Sequence, residues 1–131
     1  MKDDLFSEGC VDLNDWLEEE GYEDTGIYHT LEPSPTEEER ISEEKNHTSA
    51  RDCGQLLEAI YRGEAVSETA SQDMLMLLLG QERDYKIPAG VPEHVTVANK
   101  TGETDTCQHD AAIVFGESGD YILCVMSEGL T

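Results

Sequence analysis

Three apolar runs at 94–100, 110–116 and 120–127 close this 131-residue chain, and they constrain its fold more than any other feature. Each has the length and composition of a strand. Glu117-Ser118-Gly119-Asp120 reads as a hairpin turn between the last two, and a polar segment separates the first two. Such a series pairs most simply as an antiparallel meander. The upstream pattern is helical. Val11 to Glu20 places Val11, Leu13, Trp16 and Leu17 mostly on one helical face, which makes Trp16 a core residue, and Gly21 is a natural stop. Thr48 or Ser49 can cap a second helix that carries Leu56, Leu57, Ile60 and Tyr61 and closes at Gly63. Ser67 caps a third, which runs to about Leu79 before Gly80 ends it. Its Met74–Leu79 segment is apolar nearly all round and is expected to be covered by other elements. Between the first two helices, residues 22–46 read as a long loop with one helical turn at 36–44. Its run Glu37-Glu38-Glu39 is a solvated face. The predicted class is α+β, with N-terminal helices followed by a three-stranded antiparallel meander. The predicted division is an acidic helix and loop region at 1–47, two helices at 48–80, and a sheet region at 87–131.

The last strand carries a further constraint. Tyr121-Ile122-Leu123-Cys124-Val125-Met126 is apolar on both faces, as a central strand covered on each side would be. It nevertheless has only one sequence-adjacent partner, so its free edge is an apolar template for pairing. The expectation is a partial domain, with further strands and a covering helix supplied by other sequence. Two partners fit that edge: a complementing N-terminal half, or a second copy associating through strand 121–127.

Charge narrows the function classes. Thirty Asp and Glu stand against eight Lys and Arg, for a formal net charge of -22. Such a surface repels nucleic acid and anionic lipid at long range, so no nucleic-acid partner is expected. Strong acidity also suits a salt-adapted cytoplasm, a disordered acidic segment or a mimic of polyanions. Cys10, Cys53, Cys107 and Cys124 are widely spaced, without CxxC or histidines at ligand spacing, so neither a zinc site nor any other cofactor is implied. Cys53 and Cys124 lie in apolar contexts and read as small core residues. The start, MKDDLFSEG, lacks the basic end and apolar stretch of a signal peptide, and no run is long enough to span a bilayer. The sequon matches at Asn46-His47-Thr48 and Asn99-Lys100-Thr101 are taken as chance. The compartment is left open.

The residues that point to chemistry are Lys100-Thr101-Gly102, at the end of the first strand candidate. A cation, a hydroxyl and a glycine there suit capture of a substrate carboxylate. Lys100 supplies charge, Thr101 a hydrogen bond, and Gly102 lets the ligand lie against the backbone. A fixed triplet occurs by chance in roughly one chain of this length in a hundred. Other segments appear in a consistent order around it: Asn46-His47-Thr48-Ser49-Ala50-Arg51-Asp52, Tyr61-Arg62-Gly63-Glu64, Ile87-Pro88-Ala89-Gly90-Val91-Pro92, Val97 to Glu103, and His109 to Val114. Over about 46–130 the chain resembles the C-terminal half of the class A β-lactamase-like serine hydrolases, the family that includes penicillin-binding DD-peptidases. The resemblance implies acyl-serine chemistry on β-lactams or D-Ala-type peptides, with a nucleophile from an SxxK motif and a Ser-Asp-Asn motif across the cleft. It implies that Lys100 and Thr101 hold the substrate carboxylate, and that Glu103 lends its backbone N–H to an oxyanion hole. It also implies a five-stranded sheet of which three strands are present. The two missing strands and the nucleophile helix are expected before Met1, and a covering helix after Thr131.

The departures matter as much as the matches. The chain has no Ser-x-Asn or Tyr-x-Asn. Its one SxxK, Ser42-Glu43-Glu44-Lys45, falls in the wrong order relative to the matched helix. The acidic surroundings would not lower the lysine pKa as an activating base requires, so it is read as coincidental. Leu31-Glu32-Pro33-Ser34-Pro35-Thr36 has the Glu-Pro of the family's deacylation loop without its asparagine. Glu32 is therefore either a general-base candidate or an ordinary loop glutamate. Without a working base, such an enzyme acylates and releases slowly, as a penicillin-binding protein does. His109 and Asp110 read as structural. The leading expectation is the substrate-binding part of a serine hydrolase, inactive alone. The alternative is a non-catalytic acidic binding module that uses its sheet edge, with a polyanion mimic as a third reading.

Overall fold

The protein is described here from a computed structural model, which covers residues 2–30 and 44–131. Among these residues three helices, α1 (Lys2–Glu19), α2 (Ala50–Tyr61) and α3 (Glu68–Leu79), precede a 3-10 turn at Pro88–Gly90. Strands β1 (Thr96–Glu103), β2 (Gln108–Gly116) and β3 (Gly119–Ser127) follow, paired antiparallel in the order β1-β2-β3. The expected α+β order is what the structure shows. The chain divides into two compact units, 1–52 and 53–131.

In the first unit, α1 begins at Lys2 rather than Val11. It stops as the sequence indicates. Gly21 takes φ 83°, its N–H donates to Glu18 O (3.0 Å), and the Tyr22 N–H reaches Leu17 O (2.8 Å). The inward stripe differs from the expected one. Cys10, Leu17 and Tyr22 are buried and Trp16 stacks half-buried on Tyr22, whereas Val11 and Leu13 are exposed. Beyond α1, two backbone segments are stitched together. Gly26 and His47 exchange a pair of backbone hydrogen bonds (3.0 and 3.1 Å). Asn46 Oδ1 accepts from the N–H groups of Tyr28 (2.6 Å) and His29 (2.8 Å), while its amide donates to His29 O (2.7 Å). The buried Asp52 carboxylate accepts from the Asp24 N–H (2.9 Å) and the Thr25 hydroxyl (2.7 Å). Glu32, Ser42 and nearly all of the helical turn expected at 36–44 lie outside the described residues.

In the second unit, Gly63 (φ 75°) closes α2 with the same paired bonds, Gly63 N–H to Ile60 O (3.1 Å) and Glu64 N–H to Ala59 O (2.8 Å). Ser67 caps α3 by accepting from the Ala70 N–H (3.0 Å). The sheet has a core on each face. On one, Leu57 of α2 and the α3 residues Leu75 and Leu78 pack with Ala98 and Ile113. On the other, Ile87 packs with Ala112 and Val114, flanked by Val91, Val95 and Val97. Burying a side chain such as Ile113 contributes about 1.5–3 kcal/mol.

Three expectations need correction. The first strand continues to Glu103, so Lys100-Thr101-Gly102 lies inside β1 and not at its end. Its backbone pairs with His109, Asp110 and Ala111 irrespective of side-chain polarity. The last hairpin turns on Glu117-Ser118 alone, because Gly116 and Gly119 already pair. The apolar segment of α3 is not covered all round. Only its Leu75 and Leu78 side meets the sheet core, and Met76 and Leu77 stand 66% and 76% exposed. On β3 the side chains of Tyr121, Leu123 and Val125, on one face at successive alternate positions, are also exposed. β3 is an edge strand among the described residues, paired with β2 as chain order led us to expect, although its apolar pattern is that of a strand covered on each side.

Candidate functional site

β1 is an edge strand of the described sheet, so half of its backbone N–H and C=O groups face away from β2. Alternation assigns its side chains. Ala98 lies in the helix-facing core, which puts Lys100 and Gly102 on that side. Asn99, Thr101 and Glu103 take the opposite side, facing the 81–87 loop. Lys100 is exposed, and its Nζ donates to Thr101 O at 2.6 Å. Thr101 is buried at 6% exposure opposite Asp110. Gly102 stands opposite His109, where a Cβ would make only ordinary contact with the imidazole.

Beneath the triplet lies a buried polar network. Asn99 is fully buried. Its Oδ1 accepts from Gln81 Nε2 (2.5 Å), and its amide nitrogen donates to Asp110 Oδ1 (3.0 Å) and weakly to Arg83 O (3.4 Å). Asp110 Oδ2 accepts from the Ile87 N–H at 2.9 Å. The 81–87 loop is thereby tied to both strands directly under the triplet. Asp110 has the structural role that its position suggested. The carbonyl of His109 accepts from Lys86 Nζ (3.2 Å), whereas its ring Nδ1 is buried without a partner.

At the far end of β1, the Glu103 carboxylate gathers three partners from the same loop. The Tyr85 hydroxyl donates to it, Lys86 Nζ lies 3.2 Å away, and Arg83 Nη1 lies 3.9 Å away. The Tyr85 hydrogen bond, then that from Lys86, holds the Glu103 carboxyl below its ordinary pKa. A chain with eight Lys and Arg in all therefore places three of them along the last four residues of β1 and the loop beside it. Sequence reasoning missed Arg83, Tyr85 and Lys86. The only signal was a short basic cluster, Arg83-Asp84-Tyr85-Lys86, within a strongly acidic chain. Among the described residues no group of three or more His, Cys, Asp or Glu forms a metal site, and no helix is long and apolar enough to cross a membrane.

A family model described as the beta-lactamase enzyme family matches residues 8–131. The chain belongs to that family. Solved structures of the family share its fold. A beta-lactamase from Sphaerobacter thermophilus DSM 20745 is 23% identical with a TM-score of 0.78, covering 93% of this chain and 46% of its own. PBP-A is 26% identical with a TM-score of 0.75, covering 92% and 43%. A PBP-A mutant solved as an acyl-enzyme complex with penicillin G is also 26% identical, with a TM-score of 0.73 and the same coverage. No curated protein matches the chain. This β-lactamase family chain thus spans less than half the length of its solved relatives.

Proposed function

We propose that this chain is the substrate-binding part of a serine acyl-transfer enzyme acting on β-lactams or D-Ala-type peptides, and that it carries one wall of the cleft without the nucleophile. The observation that carries this reading is the exposed Lys100, followed by Thr101 and Gly102, on the open edge of β1. An anionic substrate approaching a chain of net charge -22 needs a local cationic site. Lys100 and Thr101 hold the substrate carboxylate, Gly102 leaves room beside the backbone, and the Glu103 N–H points a donor at the developing oxyanion. Because β1 is anchored by the Asn99–Asp110 network, these donors are fixed before substrate arrives. Glu32 is the candidate for activating the deacylating water. The nucleophile comes from a complementing N-terminal half, and this chain alone is inactive. A second reading, a non-catalytic acidic module that binds through its sheet edge, is favoured by the exposed row Tyr121, Leu123 and Val125 on β3.

The test is a titration of the chain with penicillin G, followed by amide NMR and intact mass. Shifts centred on 100–103 without a covalent adduct are expected. Lys100→Ala should weaken binding about 10–100-fold, the equivalent of about 1.5–3 kcal/mol for a charge-assisted hydrogen bond. No shift at 100–103 would refute the binding wall. An adduct lost in Ser42→Ala would place the nucleophile within this chain and refute the division.

A further inference from the structure

We propose that Cys53 and Cys124 are an oxidative pair, forming a disulfide that joins α2 to β3 when a small-molecule disulfide is supplied. The inference rests on helix–strand packing within residues 53–131, independently of the substrate site. Cys53 stands one helical turn before Leu57 on the same face of α2. Leu57 is buried in the core cluster against which Ile122 and Cys124 of β3 pack. Gly54, the neighbour of Cys53, faces the strand at the second thiol: a Cβ at this position would lie in ordinary contact with Cys124 Sγ (3.8 Å) and Ile122 Cγ2 (3.9 Å). Disulfides require Cα atoms within about 4.4–6.8 Å, and bond formation in the folded chain is the direct test that residues 53 and 124 reach it.

Both cysteines are half-buried and in the thiol form, so a small reagent reaches them. The Cys124 thiol is pushed above its ordinary pKa, first by burial and then by the Cys53 thiol. The other thiols are placed differently. Cys107 Sγ bonds the Thr104 hydroxyl (2.8 Å) in the β1–β2 turn, and Cys10 is buried in α1.

The chemistry is thiol–disulfide exchange. One cysteine thiolate attacks the reagent's S–S bond and expels one reagent thiolate. The second cysteine loses its proton, attacks the protein sulfur of the mixed disulfide and expels the other. The two cysteines are oxidised by two electrons and the reagent is reduced to two thiols.

The experiment incubates the folded full chain with oxidised glutathione, then combines intact mass, non-reducing peptide mapping and thermal melting. The expected result is loss of two hydrogens' mass, joined peptides containing Cys53 and Cys124, and a melting midpoint several degrees above the reduced chain. Cys53→Ser and Cys124→Ser should each retain a single glutathione at the remaining partner. Glutathione on both cysteines without an internal bond would overturn the proposal. So would peptides joined through Cys10 or Cys107, or a 53–124 bond that forms only in urea. Mapping of the unmutated chain decides the matter even if a serine variant fails to fold.

Discussion

Replacing Asp110 by alanine strips two acceptors from the interior at once. Asp110 is 2% exposed, and its two oxygens take the Ile87 N–H and the Asn99 side-chain N–H. Both donors stay buried after the change. Asn99 keeps its weak bond to Arg83 O, and the Ile87 N–H has no second acceptor among the described residues. Each unpaired buried donor costs about 1–3 kcal/mol, and bonds to a charged acceptor lie at the upper end of that range. The expected loss is therefore about 3–5 kcal/mol, a large fraction of what a domain of this size possesses. Asn99→Ala loses the Gln81 and Asp110 bonds and should cost about 2–3 kcal/mol. The two share one bond, so the double variant should fall short of the sum by about 1–2 kcal/mol. Urea unfolding followed by circular dichroism measures all three, with an unchanged slope as the check that only stability moved. Should Asp110→Ala not fold, Asp110→Asn keeps the shape and should lose about 1–2 kcal/mol. A loss below about 1 kcal/mol for Asp110→Ala, or strict additivity, would refute the idea that this network anchors the 81–87 loop.

Gly63→Ala tests the α2 stop: a Cβ there meets Glu68 Cγ at an ordinary 3.6 Å, so the cost is that of φ 75° alone. That is about 1–2 kcal/mol, read as a melting point lower by several degrees, and an unchanged melting point would contradict it. Glu103 gives a pH dependence with a definite sign. Its folded pKa is depressed by Tyr85 and Lys86, so its contribution is present above the ordinary carboxyl value of about 4.3 and is lost as pH falls through the lower folded value. Glu103→Gln should make the acid limb of the stability profile shallower, and superimposable limbs would refute it.

Much of the fold was legible because its signals are local. Ser67 as a cap, Gly21 and Gly63 as stops, and the three apolar runs each act within a few residues, and the structure honours them. The strand extension to Glu103 escaped because ladder hydrogen bonds use backbone atoms and leave no apolar trace over Thr101-Gly102-Glu103. The exposed Met76 and Leu77 ran against expectation because composition says that a face is apolar and is silent on what covers it. At the candidate site, the triplet was visible as a motif. The Arg83, Tyr85 and Lys86 clamp was not, since a loop has no periodicity and its partner Glu103 lies 17 to 20 residues away along the chain.

The paired segments around Gly26 and His47 have a consequence for how the chain could change. Asn46, the Gly26–His47 bridge and Asp52 fasten the strands of that neck through bonds made entirely by residues 24–29 and 46–52. Those bonds share acceptors: one Asn46 oxygen takes two N–H groups and one Asp52 oxygen takes an N–H and a hydroxyl. Removing either side chain therefore frees two donors of the opposite segment at once, so the neck should open as a unit and not bond by bond.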